Sequence, residues 1–225
     1  MVQKLMNRIL QKIQRQFNRI FGKDLNYKKF WNDEYLKCNT SGPGSYGVLA
    51  EFKAEVINAF LANREVSSVI EFGCGDGNQL AMIKYPRYLG FDVSRASINL
   101  CSNKFKNDPS KSFMCYDPSS FINPSLFLKA DLVVCLDVLY HIIDKEEFLL
   151  TLNSIFTCAL KYVILYTTID LYKSENYHYI KGSHGKHRDT IHYLAQFPEF
   201  KIDKIIDQRH PELSSADFIL LSRGS

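Results

Sequence analysis

Along this chain of 225 residues the spacing of apolar positions changes repeatedly, and each change marks an element. Leu5, Ile9, Ile13, Phe17 and Ile20/Phe21 recur at helical spacing with basic residues on the other faces. That pattern predicts an amphipathic helix, stopping near Gly22 and Asp24-Leu25-Asn26. An aromatic stretch follows (Tyr27, Phe30, Trp31, Tyr35), then a glycine–serine loop over Ser41–Gly47. The loop runs into a second amphipathic helix carrying Leu49, Phe52, Val56, Ile57, Phe60 and Leu61. Strands are then predicted near 67–72, 88–92, 112–116, 131–136 and 162–168, with helices near 79–85, 94–104, 144–157 and 188–196. Ser94 is placed to cap its helix, whose apolar face is expected at Ile98 and Leu100. Asp144-Lys145-Glu146-Glu147 sets negative charge at the positive end of another. Two last strands, near 200–207 and 216–222, could pair antiparallel. Strands alternating with helices imply an α/β fold, a mostly parallel sheet covered on both faces.

Length and composition fit that picture. The chain is long enough for one α/β domain, taken as 27–225, preceded by the basic helix of 1–26. No apolar run reaches the roughly 18 residues of a membrane span, and the N-terminus lacks the apolar core of a secretory signal. Six cysteines form no C-x-x-C pair and fall mostly in apolar runs, which points to reduced, buried thiols, a cytoplasmic protein and no zinc site. The net charge of +4 is misleading as an average, because residues 1–23 carry Lys4, Arg8, Lys12, Arg15, Arg19 and Lys23 and no acid. Of 28 basic residues, 22 remain against 24 acids in the rest, a net of −2. The body is therefore not the basic surface of a nucleic-acid enzyme. Three readings of the N-terminal helix stay open: packing on the domain or a second subunit, contact with anionic lipid, or an organellar transit peptide.

The chemistry concentrates just after the strands, where ligands bind in an open parallel sheet. Val69-Ile70-Glu71-Phe72-Gly73-Cys74-Gly75-Asp76-Gly77 is an apolar strand ending in an acid, then glycines at every second position. A dinucleotide fingerprint needs a small residue where this chain has Asn78. A carboxylate at Glu71 suits a cationic amino-acid group better than a pyrophosphate. Asp92 ends the second strand, placed to accept ribose hydroxyls or to cap the helix after Val93-Ser94. Asp117-Pro118-Ser119 follows the third strand and is also a good turn sequence. Leu136-Asp137-Val138-Leu139-Tyr140-His141 follows the fourth; if 137–141 is a helical turn, Asp137 and His141 share a face. Asp137 could then orient an imidazole acting as general base, although a purely structural histidine fits the same pattern. A second polar cluster is His184-Gly185-Lys186-His187-Arg188, with Tyr172, Tyr177, His178 and Tyr179 just before it. It reads as a lid or a solvated loop, and a His–Arg pair would suit a phosphate or carboxylate.

The Glu71–Gly77 segment resembles motif I of the class I S-adenosylmethionine-dependent methyltransferases, (E/D)-x-G-x-G-x-G. The resemblance covers roughly residues 45–222 and implies a seven-stranded Rossmann-like sheet with a C-terminal antiparallel hairpin. It implies S-adenosylmethionine as cofactor, held by Glu71, Gly73, Cys74, Gly75 and Gly77 at the methionine part and by Asp92 and Val93 at the ribose. Asp117 would face the adenine, Leu136 and Asp137 would line the cofactor, and Ser45 and Tyr46 would cover it. His141, Asp137 and His187 are the catalytic candidates; Tyr140, His184, His187 and Arg188 are the substrate-binding ones. The D-V-L-x-H segment is similar to that of small-molecule and sugar methyltransferases. With the segment from His187-Arg188 to Phe218, it points to O-methylation of a sugar hydroxyl in polysaccharide or glycolipid synthesis. An amine, another small metabolite, or cofactor binding without catalysis stays open.

Overall fold

A computed structural model describes residues 26–169 and 185–224. The N-terminal basic pattern and His184, with the aromatics of 170–184, lie outside the described residues. Asn26 caps the first described helix, α1 (Tyr27–Cys38), its side chain accepting from the Lys29 amide at 3.1 Å. A 3₁₀ turn at Pro43–Ser45 leads into α2 (Gly47–Ala62). Then follow β1 (Ser68–Phe72), α3 (Asn78–Ala81), β2 (Arg87–Asp92), α4 (Arg95–Lys104), β3 (Lys111–Cys115) and β4 (Ala130–Leu136). A 3₁₀ turn at Leu139–His141 precedes α5 (Lys145–Cys158), β5 (Ala159–Thr167), α6 (Thr190–Leu194), β6 (Phe200–Ile206) and β7 (Asp217–Arg223).

The seven strands lie in the order β3-β2-β1-β4-β5-β7-β6. Only β7 runs antiparallel to its neighbours, β5 and β6, so the closing hairpin inserts its second strand into the sheet. Central β4 is buried along its whole length, as expected of a strand covered on both faces. Successive side chains alternate sides: Ile70 and Val133 enter the core under α5, whereas Val69 and Leu132 enter the one under α2.

Most element boundaries agree with the sequence pattern within a few residues. The helix expected near 79–85 stops at Ala81, because Pro86 disfavours helical backbone before it and Ile83 and Tyr85 turn into the core. The helix expected near 188–196 is confined to Thr190–Leu194, with Asp189 extended at its start. On α4, Ser94 caps as expected, accepting from the Ser97 amide at 3.2 Å. Its fully buried residues are Ala96, Ser97 and Cys101, with Ser97 Oγ donating to the Gly75 carbonyl at 2.5 Å; Ile98 packs part-buried on the core as expected, whereas Leu100 is only half-buried. Four cysteines are buried, while Cys38 and Cys115 are exposed.

Candidate active site

The carboxyl ends of β1, β2 and β4 open into a cavity of about 350 Å³, roofed by α1 and the Ser41–Ser45 segment. The two carboxylates expected at the strand tips both line it. Glu71 is buried and accepts from the Tyr88 hydroxyl at 2.6 Å. Burial pushes its pKa up to about 7, against the lowering effects of that bond and of Lys53. Asp92 is also buried, and burial raises it to about 6 although the Ser94 and Gly75 amides donate to it at 2.8 and 3.0 Å. Those two bonds use one site on each oxygen; a carboxylate offers about four. The Ser97 side chain and the Val93 amide also act on this carboxylate, so a ribose hydroxyl would share it with them, and buried Glu71 gains from a cationic partner. Both features fit the ribose and the ammonium of S-adenosylmethionine.

Gly73, Cys74 and Gly75 line the cavity with Val93 and Leu136. Gly75 has φ 57°, and a Cβ there would stand 2.3 Å from Ser41 Oγ, so the roof closes on the loop only because the side chain is absent. Gly77 does not line the cavity. It begins α3 at φ 70°, and a Cβ would meet the Phe105 ring at 2.7 Å, so its work is packing against α4.

Asp76, between those glycines, escaped notice in the sequence, although it has the Asx-turn signature toward Asn78. Its Oδ2 accepts from the Ser41 amide at 2.9 Å and the Tyr46 hydroxyl at 2.6 Å, and its own amide donates to Ser41 Oγ at 2.9 Å. Oδ1 takes the Asn78 amide at 2.9 Å. Ser45 lines the cavity, but Tyr46 is spent outside it as a clamp on Asp76.

Asp117 departs from the adenine role. Its carboxylate accepts from Lys28 Nζ at 2.8 Å and from Ser119 at 2.6 and 3.0 Å, it is half exposed, and it does not line the cavity. The Lys28 and Ser119 bonds hold its pKa below the usual carboxylate range. Its neighbour Tyr116 lines the wall instead.

At the β4 tip, Asp137 has φ 59° and lies outside the Leu139–His141 turn, so no helical turn joins it to His141. Asp137 Oδ1 accepts from the Tyr140 hydroxyl at 2.6 Å, and Oδ2 from Lys53 Nζ. His141 packs edge-on against Trp31, with ring centres 4.9 Å apart, and against Tyr140 at 4.5 Å. His187 stacks on the far side of the cluster, 5.7 Å from Tyr140 with planes 22° apart. Burial lowers the His187 pKa. Arg188 is not a substrate group: its buried guanidinium donates to the carbonyls of Ile142 at 2.7 Å and Ile143 at 2.8 Å, fixing the turn after His141. Lys53 was missed, yet it had a signal. It sits four residues from both Leu49 and Ile57, on the apolar stripe of α2.

Sheet order, acidic strand tips and a glycine loop roofed from the N-terminal side together define a class I, S-adenosylmethionine-dependent methyltransferase. The chain belongs to the family described as "Methyltransferase domain", whose model matches residues 48–197. Among solved structures it is similar to the N-methyltransferase NodS from Bradyrhizobium japonicum WM9 in complex with S-adenosyl-L-homocysteine. That pair shares 13% identity with TM-score 0.69, covering 89% of this chain and 100% of the other. Magnesium protoporphyrin IX methyltransferase from Synechocystis PCC 6803 gives 18% identity and TM-score 0.63, covering 88% and 100%. An S-adenosylmethionine-dependent methyltransferase from Clostridium acetobutylicum ATCC 824 gives 15% and 0.56, covering 96% and 100%. No curated protein matches the chain. Among the described residues no helix is long and apolar enough to cross a membrane.

Proposed function

We propose that this chain transfers the methyl group of S-adenosylmethionine to a hydroxyl of a small, ring-shaped, uncharged acceptor, with sugars first in line. The observation that carries this reading is the wall of Trp31, His141, Tyr140 and His187 standing beside the acidic cradle. A sulfonium methyl is already a strong electrophile, so the cofactor supplies the driving force. The protein's own share is alignment and removal of the acceptor proton. Glu71 and Gly73–Gly75 would hold the methionine end and Asp92 the ribose. His141, at the mouth of β4, would receive the proton from the acceptor hydroxyl. Aromatic faces such as Trp31 suit the C–H faces of a sugar ring.

Charge in the lining supports an uncharged acceptor. Among the described residues, Glu71, Asp76, Asp92 and Asp137 face a single ammonium, Lys53, which Asp137 already neutralises. Among the described residues no guanidinium is placed there for a phosphate or carboxylate, since Arg188 is spent on backbone. The same excess of carboxylates favours a second reading, a cationic amine acceptor. The basic amphipathic pattern of residues 1–23 supports peripheral contact with anionic membrane, as a lipid-linked sugar would require. Calorimetry with S-adenosylmethionine and S-adenosylhomocysteine tests the cofactor. A screen of glycosides, nucleotide sugars and amines, reading out S-adenosylhomocysteine, then separates hydroxyl from amine acceptors. Absence of binding to either cofactor form overturns the whole reading.

A further inference from the structure

Lys53 is 1% exposed, on the inner face of a helix whose neighbouring turns present Leu49 and Ile57 to the core. A buried ammonium needs a counter-charge, and Lys53 reaches across 84 positions to the Asp137 carboxylate. Asp137 is fixed in turn from three sides. Its backbone takes the left-handed conformation at φ 59°, its amide donates to the Tyr166 carbonyl at 3.1 Å, and its second oxygen holds the Tyr140 hydroxyl. Gly44 of the roof packs on the same carboxylate; a Cβ there would stand 3.5 Å from Oδ2. Tyr140 is flanked by His141 and His187, and all three rings line the cavity.

A buried ion pair is weak ground for stability, since apolar residues of similar size often serve as well. Here the pair borders the cavity, and the group it orients is the phenol at the centre of the imidazole wall. We propose that Lys53 is a positioning residue for methyl transfer. Through Asp137 it sets the Tyr140 ring, and through that ring the imidazoles of His141 and His187 against the acceptor. This rests on the methyltransferase reading above.

Trp31, the single tryptophan of the chain, provides the probe, because it touches His141 edge-on. Protonation of that imidazole quenches indole emission, so the pH dependence of the emission reports its placement without any acceptor. The variants are K53M, D137N and K53M/D137N, each measured for melting temperature, S-adenosylhomocysteine affinity and Trp31 titration. K53M alone is expected to melt early, from an uncompensated, largely buried carboxylate. K53M/D137N should recover most of that melting temperature, yet lose most of the pH-dependent quenching step. A double variant whose Trp31 titration matches wild type overturns the proposal, whether or not its affinity changes. Should the double variant fail to fold, K53R, which keeps the charge but moves it, is held to the same criterion. Wild-type protein that binds no S-adenosylhomocysteine would instead count against the methyltransferase reading itself.

Discussion

The tips of β1 and β2 and the tip of neighbouring β4 line one cavity, and they are built in opposite ways. At β1 and β2 the cavity is lined by two strand carboxylates and one glycine loop, wired to each other and to the adjacent strand: the Gly73 and Cys74 amides donate to the Phe91 carbonyl, the Gly75 amide donates to Asp92, and the Tyr88 hydroxyl donates to Glu71. At β4 the local contacts among Asp137, Tyr140 and His141 are completed by side chains from elsewhere: Lys53 from α2, Trp31 from α1, His187 from the segment after β5. A cofactor that is always the same can be met by a short, contiguous device. An acceptor site is assembled from parts that vary independently, which is how one fold serves many acceptors.

The contrast predicts that damage on the two sides separates into turnover and affinity. His141→Ala should give the largest effect, a loss of about 10²–10⁴ in turnover with S-adenosylhomocysteine affinity intact, measured by steady-state kinetics and calorimetry. Normal turnover in that variant removes His141 from the mechanism. Asp92→Ala should do the reverse, weakening cofactor binding by about tenfold to a hundredfold, the range for hydrogen bonds to a charged group. Unchanged affinity there would break the division.

Acidity sharpens it further. Glu71 is raised from 4.5 to about 7, so the unliganded fold binds a proton that the unfolded chain does not across that window. Its contribution to stability therefore falls as pH rises from 4.5 to about 7 and is flat above. A cationic ligand wants the ionised form, so cofactor affinity should rise with pH up to about 7, by at most roughly tenfold per unit. Glu71→Gln should flatten that slope in a pH series of titrations. The smallest effect is expected at Asp117→Ala. Losing an exposed ion pair with Lys28 costs at most about 1 kcal/mol of stability and leaves cofactor affinity alone.

The same contrast decides what could be read from the chain before its fold. Glu71, the glycines and Asp92 are legible because a local backbone requirement writes itself into neighbouring positions. Even there, Gly77 looked like a ligand contact, and only the distant Phe105 ring reveals it as a packing site. Asp117 and Arg188 have the right chemistry for binding, but Lys28 claims the one and the Ile142 and Ile143 carbonyls, besides nearby Lys186, claim the other, and no sequence window shows the distant partners. The Asp137–His141 pairing assumed helical backbone, which the left-handed Asp137 denies. Lys53 was legible in principle, as a charge on an apolar stripe.

Asp76 carries one more consequence. A single carboxylate bonds the Ser41 amide and the Tyr46 phenol while its own amide holds Ser41 Oγ, so the ceiling is hung from the floor through one residue. Any exchange of a nucleoside-sized guest that lifts the Ser41 segment must unhook that residue first. The residence time of the guest, more than its equilibrium affinity, should be the property that evolution tunes there, and stopped-flow release from Tyr46→Phe is where the tuning would be seen.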